Sequence, residues 1–201
     1  MTTRYGTGAR LFHWLVVLLL LAQVPAGITM VVPAMLGDFP ALPGVEQSTI
    51  DALYVFHKGL GAILIVVIVL RILWRLTHTP PPLPDSMPPL ERKLVRRTEA
   101  GMYVLMVIVG VTGYVHVIGL GFPIELLDWV GVPPLLPKVE RLAVISSFVH
   151  RFAVFALLGT IAVHIAEVLR HHWIVKDGIL GRMWPPFGGR DEPAPPTAPQ
   201  R

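Results

Sequence analysis

The sequence predicts an all-α integral membrane protein built as a bundle of four spanning helices. Of its 201 residues, 53% are hydrophobic and only 15% are charged, which is too apolar for an ordinary soluble domain. Four apolar runs are long enough to cross a hydrocarbon core, which takes about 20 helical residues. They cover residues 11–32, 53–74, 101–120 and 148–169. Since no repeat or soluble domain is evident, residues 1–184 are expected to form one transmembrane domain.

Proline-rich segments flank these runs. Residues 77–99 read "THTPPPLPDSMPPLERKLVRRTE", a proline run followed by a basic stretch, and a proline run cannot continue a helix. Residues 185–201 are also rich in proline and glycine, which predicts a disordered tail. The first run has one alternative interpretation, because Arg4 and Arg10 before "LVVLLLLAQVPAG" resemble a signal peptide. We favour a retained span, since the run continues to Val32 and cleavage would leave an odd number of spans.

Lysine and arginine in the short loops predict the orientation of the spans. The first loop has neither residue type, whereas the second loop is rich in both and the N- and C-terminal segments are basic. Both termini and the second loop are therefore expected on the cytoplasmic side, with the first and third loops outside. The formal net charge is +4, and we expect no nucleic-acid partner.

The composition also limits the metal chemistry. The chain has no cysteine, which excludes disulfides, iron–sulfur clusters and thiolate-ligated haem or zinc. Any metal must therefore be bound by histidine, methionine or carboxylate, and eight histidines are present.

Two histidines of the fourth run share one helix face. His150 and His164 are fourteen residues apart, which places them within about 40° of each other around the axis and about 21 Å apart along it. One histidine then lies near each boundary of a hydrocarbon core about 30 Å thick. This spacing indicates two stacked cofactors at different membrane depths.

The alternating direction of the spans assigns a partner to each. His57 lies near the outer start of the second run, and His13 near the inner start of the first. The predicted outer pair is thus His57 with His150, and the inner pair is His13 with His164. Haem b fits, because bis-imidazole ligation needs two facing histidines, and bundle cores commonly hold cofactors.

Simpler interpretations exist for these side chains. One histidine at a span end is more often interfacial or hydrogen-bonded than a ligand, but four in two depth-matched pairs favour haem. Zinc is a poor alternative, since no carboxylate or cysteine joins either pair. Gly61 suits a planar cofactor against a helix or close helix packing equally well. The same holds for Gly159.

The other histidines have different expectations. His78 lies in the proline-rich loop and is expected to be solvated. His116 lacks a depth-matched partner, so we favour a hydrogen-bonded or interfacial role. His171 and His172 follow the fourth run at the cytoplasmic boundary, where they either anchor the helix or supply a proton donor beside the inner cofactor.

Three stretches carry a family resemblance. "LFHWLVVLLLLAQ", "FHKGLGAILIVVIVLRILWRLTHTPPP" and "VHRFAVFALLGTIAVHIAEVLRHHWIVKDGILGRMWP" resemble the bacterial cytochrome b561 family, over nearly the whole chain up to Pro185. The resemblance implies a four-helix bundle in the bacterial inner membrane with two b haems. The ligands it implies are His13, His57, His150 and His164.

One branch of that family oxidises superoxide at the periplasmic face and passes the electrons to ubiquinone near the cytoplasmic side. In that branch a histidine just past the fourth span lies at the quinone site, and it corresponds here to His171. The resemblance therefore implies a superoxide:quinone oxidoreductase. The alternative is an electron-transfer subunit that links a periplasmic redox partner to the quinone pool. A third possibility is a haem-free four-helix transporter or scaffold.

Basic residues near the ligands have two expected roles. Those near the inner haem can form ion pairs with its propionates or with lipid headgroups: Arg10, Arg71 and Arg75. Those at the outer face can answer propionates and steer superoxide, a small anion: Lys58, Arg151, Lys138 and Arg141.

Overall fold

The computed structural model describes residues 4–35, 46–84 and 87–184, and within them every regular element is helical. The elements, in chain order, are α1 (Thr7–Met35), α2 (Gln47–Thr77), α3 (Pro89–Leu120), the short α4 (Glu125–Trp129) and α5 (Glu140–Arg170). A π-helical turn (His171–Val175) and a 3₁₀ turn (Ile179–Arg182) follow α5. Four helices within these described ranges are long and apolar enough to span a membrane, which confirms the predicted fold class.

The spanning helices are 29 to 32 residues long, longer than the predicted apolar runs. The helical hydrogen-bond pattern continues through the polar ends that hydropathy excludes. The boundaries of α3 are explained by the residues at its ends. Pro89 occupies the first turn of α3, where a missing N–H costs nothing, and Gly121 ends α3 in the left-handed conformation at φ 84°. The predicted disordered tail and much of the first loop lie outside the described residues.

The bundle consists of two helical hairpins. α1 packs on α2 and α3 packs on α5, and a seam between α2 and α3 joins the hairpins. Throughout the described residues, the Cα atoms of α1 and α5 stay more than 8 Å apart. An apolar cluster fills the middle of the bundle: Val16, Leu64, Val67, Ile68, Met106 and Leu157. Because Leu157 lies midway between His150 and His164, this cluster separates the two predicted histidine pairs.

The N-terminal, second-loop and C-terminal segments meet at one end of the bundle. The Trp14 indole donates to the Met183 carbonyl at 2.9 Å, and the Tyr5 amide donates to the Arg182 carbonyl at 3.2 Å. Arg182 also donates to the Pro82 carbonyl at 2.6 Å. The three segments that the charge pattern assigns to one side of the membrane thus lie together.

Candidate functional site

The inner histidine pair spans the gap between α1 and α5. The ring centroids of His13 and His164 are 6.4 Å apart. The Arg71 guanidinium of α2 donates to His13 Nδ1 at 3.2 Å and to the Tyr103 hydroxyl at 3.0 Å. The two rings therefore lie close together, with their planes inclined at 69°, at the end where the termini meet, and the Arg71 cation lies beside them.

The members of the predicted outer pair lie on α2 and α5. His57 and His150 lie close enough to interact electrostatically. A glycine abuts each ring: a Cβ at Gly27 would lie 3.0 Å from His57 Cε1, and a Cβ at Gly113 would lie 3.0 Å from His150 Cε1. Since such distances are closer than ordinary van der Waals contact, only glycine leaves both rings their space.

The hydrogen bond of His150 determines which nitrogen it presents. His150 Nδ1 donates to the Val109 carbonyl at 2.9 Å, which leaves Nε2 with its lone pair. Histidines that bind metals usually donate their other N–H in this way, because the bond fixes the ring and raises its basicity. His57 Nδ1 is also buried, with no hydrogen-bond partner among the described residues.

These features test the fit of a haem. No group of three or more histidine, cysteine, aspartate or glutamate side chains suited to a bare metal ion occurs within the described part of the chain. Haem needs fewer protein ligands, since its macrocycle supplies four nitrogens and the protein only the axial ones. The two histidine pairs, the glycines beside the outer rings and the α1–α5 gap fit that requirement.

A cavity of about 150 Å³ lies at the inner end, and Arg71, which contacts His13, is part of its lining. Its charged and phenolic lining consists of Tyr5, Arg71, Arg75, Glu99 and Tyr103, with His78 at its edge. Arg75 approaches Glu99 to 3.5 Å. Burial, reinforced by the Glu99 charge, raises the pKa of Tyr5 above its usual value. Phenolic hydroxyls and two guanidinium groups therefore line this cavity, and one of the guanidinium groups, that of Arg71, contacts the inner pair.

The predicted basic residues at this end differ in their surroundings. Arg10 is 1% exposed and donates to the Thr7 hydroxyl at 3.2 Å, so it is not a surface anchor. Arg71 lies next to the inner pair, whereas Arg75 lines the cavity and pairs with Glu99.

His171 lies in a buried cluster of charged groups just past α5. It is 3% exposed, and its Nδ1 donates to Asp177 at 2.7 Å, while Nε2 lies 2.9 Å from Glu91 of α3. Glu91 also pairs with Arg170. The π-helical turn and Lys176, at φ 57°, bring Asp177 back onto the ring. His172, by contrast, is exposed.

At the outer face the predicted cations are not equivalent. Lys58 donates to Glu125 at 2.7 Å and to the Pro123 carbonyl at 2.8 Å, so its charge is offset and it fastens α4 to α2. These contacts outweigh the partial burial of Glu125 and hold the pKa of its carboxyl below the usual value. The Arg151 guanidinium lies 4.9 Å from the centre of the Phe148 ring. The exposed cations of this face are Lys138, Arg141 and Arg151.

The remaining predicted residues have local roles. His116 Nδ1 donates to the Ala143 carbonyl at 3.1 Å, as expected for a hydrogen-bonded histidine. His78 is exposed and stacks on Trp74, with ring centroids 3.8 Å apart. A Cβ at Gly61 would lie 3.2 Å from Gln23 Nε2, whereas a Cβ at Gly159 would meet open space. Close packing therefore explains Gly61 but not Gly159.

Sequence reasoning missed several side chains of these sites. The residues it did not assign to a site, although they lie beside the histidines, are Glu91, Asp177, Gln23, Gly27 and Gly113. Gln23 offered one signal, because an amide within an apolar run needs a polar partner.

The fold and the paired histidines are those expected of a multi-pass membrane protein that binds a cofactor between its helices. A family model for prokaryotic cytochrome b561 matches residues 4–186. The chain is also 30% identical, over 185 residues, to cytochrome b561 homolog 2 of Escherichia coli (strain K12), with 90% of each chain covered. The chain therefore belongs to the prokaryotic cytochrome b561 family, whose members bind haem b and transfer electrons in the membrane.

Proposed function

We propose that this cytochrome oxidises superoxide at the periplasmic face of the bacterial inner membrane and passes the electrons through two b haems to ubiquinone near the cytoplasmic side. The main support is the placement of two histidine pairs toward opposite ends of one bundle. The end where the basic segments meet is assigned to the cytoplasm, because lysine and arginine are retained on that side.

The chain's own residues hold the proposed haems. Bound haem b supplies a one-electron ferric–ferrous couple at each end. His13 and His164 are the inner ligands, and His57 and His150 the outer ones. Ligation through His13 Nε2 places a proton on Nδ1, which is incompatible with the Arg71 contact to that atom. We therefore assign Arg71 to a propionate of the inner haem, with Arg75 lining the same cavity.

Quinone reduction needs protons as well as electrons. Two superoxide ions each lose one electron and leave as dioxygen, while ubiquinone gains two electrons and two protons. His171 is proposed to donate the hydrogen bond and a proton to the quinone headgroup. Asp177 holds Nδ1, so Nε2 is the atom available to the quinone, in competition with Glu91.

At the outer face, Lys138, Arg141 and Arg151 are proposed to attract superoxide. Exposed cations raise the local concentration of a small anion and its encounter rate. Lys58 contributes to the shape of the site rather than to its charge, because Glu125 neutralises it.

The test follows the haem absorption bands of detergent-purified protein while superoxide is generated. Reduction should approach the diffusional ceiling of about 10⁸–10⁹ M⁻¹s⁻¹, slow as salt rises, and stop when superoxide dismutase is added. Changing Lys138 and Arg141 to Gln should weaken the salt dependence. Changing Lys93 and Arg96 to Gln removes the same charge from exposed residues at the opposite end and should leave it unaltered.

The second candidate is an electron-transfer subunit that receives electrons from a periplasmic redox protein. The same exposed cations favour it, since an acidic docking patch would be attracted equally well. Slow reduction that is indifferent to the dismutase, together with a co-purifying partner that reduces the haems, would replace the superoxide proposal with this one.

A further inference from the structure

Two buried polar atoms without partners occur on residues that already touch. Gln23 of α1 donates its Nε2 to the backbone carbonyl of His57 at 3.0 Å. Its other amide atom, Oε1, is buried and has no hydrogen-bond partner among the described residues, and the same is true of His57 Nδ1. A buried polar atom left unpaired is destabilising, and a membrane interior offers little water to compensate.

The two atoms are complementary when His57 is an iron ligand. Ligation through Nε2 leaves the proton on Nδ1, which makes that atom a donor, and an amide oxygen only accepts. The partner ligand already shows this arrangement, because His150 Nδ1 donates to the Val109 carbonyl. His57 lies on α2 rather than α5, and no carbonyl of the described residues accepts a hydrogen bond from its Nδ1.

A glycine lies close to each of the two side chains. A Cβ at Gly61, one turn after His57, would lie 3.2 Å from Gln23 Nε2. A Cβ at Gly27, one turn after Gln23, would lie 3.5 Å from His57 Nδ1. Both side chains are therefore closely confined where α1 packs on α2.

We propose that Gln23 is a positioning residue for the outer haem, accepting a hydrogen bond from His57 Nδ1 through Oε1. This inference rests on the proposed ligation by His57. The bond would fix the ring plane and raise the basicity of the ligand, which stabilises ferric over ferrous iron. Gln23 thereby lowers the midpoint potential of the outer haem without touching the iron.

The experiment is a redox titration of the purified holoprotein with optical detection. The wild type is compared with Gln23→Leu, which removes the acceptor, and Gln23→Glu, which retains an oxygen acceptor. Thr29→Val is the matched control on α1, because the Thr29 hydroxyl bonds only within its own helix, to the Pro25 carbonyl at 2.9 Å. The outer midpoint is identified as the one that survives in His13→Ala.

Gln23→Leu should raise the midpoint potential of the outer haem by up to about 59 mV. For one electron, this corresponds to about a tenfold change in the ferric–ferrous ratio. The inner midpoint and Thr29→Val should be unchanged, and Gln23→Glu should lie at or below the wild type. An outer midpoint in Gln23→Leu equal to that of Thr29→Val overturns the inference, as does one in Gln23→Glu as high as in Gln23→Leu.

If Gln23→Leu loses the haem, Gln23→Glu decides. Retention with a midpoint at or below the wild type supports the inference, and loss in both variants overturns it. A wild-type protein that contains one haem would instead contradict the proposed function, so the two failures are distinguishable by the haem content of the wild type.

Discussion

The space beside His150 gives the sharpest test of the outer site. Replacing Gly113 by alanine places a methyl group 3.0 Å from His150 Cε1 and 3.1 Å from Nδ1, so the ring must move by a few tenths of an ångström. The His150 ring has little freedom to move, because its Nδ1 donates to the carbonyl of Val109. Val109 lies on α3, one turn before Gly113. The methyl group and the hydrogen bond therefore compete for the position of the ligand.

Three effects determine the magnitude. Glycine to alanine in a helix gains about 1 kcal/mol from propensity. Overpacking costs about 1–3 kcal/mol, and a buried N–H deprived of its acceptor costs about 1–3 kcal/mol more. The sum is a net destabilisation of about 1–5 kcal/mol, accompanied by loss of the outer haem. Gly101 lies on the same helix with open space at its Cβ position. Gly101→Ala should therefore gain the stability that comes from helix propensity without the cost of overpacking.

The assay combines the pyridine haemochrome content per chain with thermal unfolding in detergent. Gly113→Ala should carry less haem than the wild type and unfold at a lower temperature. Gly101→Ala, whose methyl group meets open space, should keep the full haem content. The reasoning would be refuted if Gly113→Ala kept its haem and unfolded no earlier than Gly101→Ala.

Three further predictions concern the other sites. Changing either histidine of a pair to alanine should remove one haem and leave the other, as measured by a haemochrome assay. Loss of both haems in every variant would contradict the independence of the two sites. His171→Ala should slow oxidation of the reduced haems by a ubiquinone analogue and cost about 1–3 kcal/mol of stability, whereas the exposed His172→Ala should do neither; equal oxidation rates in stopped-flow would reject the quinone assignment. The pKa of Glu125 is depressed in the folded protein, so its ion pair with Lys58 stabilises above the ordinary glutamate pKa of about 4.3 and is lost as pH falls through the lower folded value. Glu125→Gln should thus be less stable than wild type at pH 7, by about 1 kcal/mol or less, and the difference should vanish in acid; a gap in melting temperature that persists to pH 2 would contradict this.

The sequence predicted the bundle and the histidine pairs because both depend on short-range regularities. An apolar run of about 20 residues has one stable form in lipid, a helix that satisfies its own backbone. A fourteen-residue spacing places two side chains on one face of any such helix. Alternating span direction then paired His13 with His164 and His57 with His150, without knowledge of packing.

Only the tertiary structure determined the groups around those histidines. Glu91 meets His171 across 80 residues, Glu125 meets Lys58 across 67, and Gln23 meets His57 across 34. Each contact depends on how one helix is rotated against another or on the path of a connecting loop. Many rotations bury similar apolar area in a membrane, so hydropathy does not distinguish them. The close approaches at Gly27, Gly61 and Gly113 distinguish one rotation from another, because a single methyl group at any of these positions would alter the rotation.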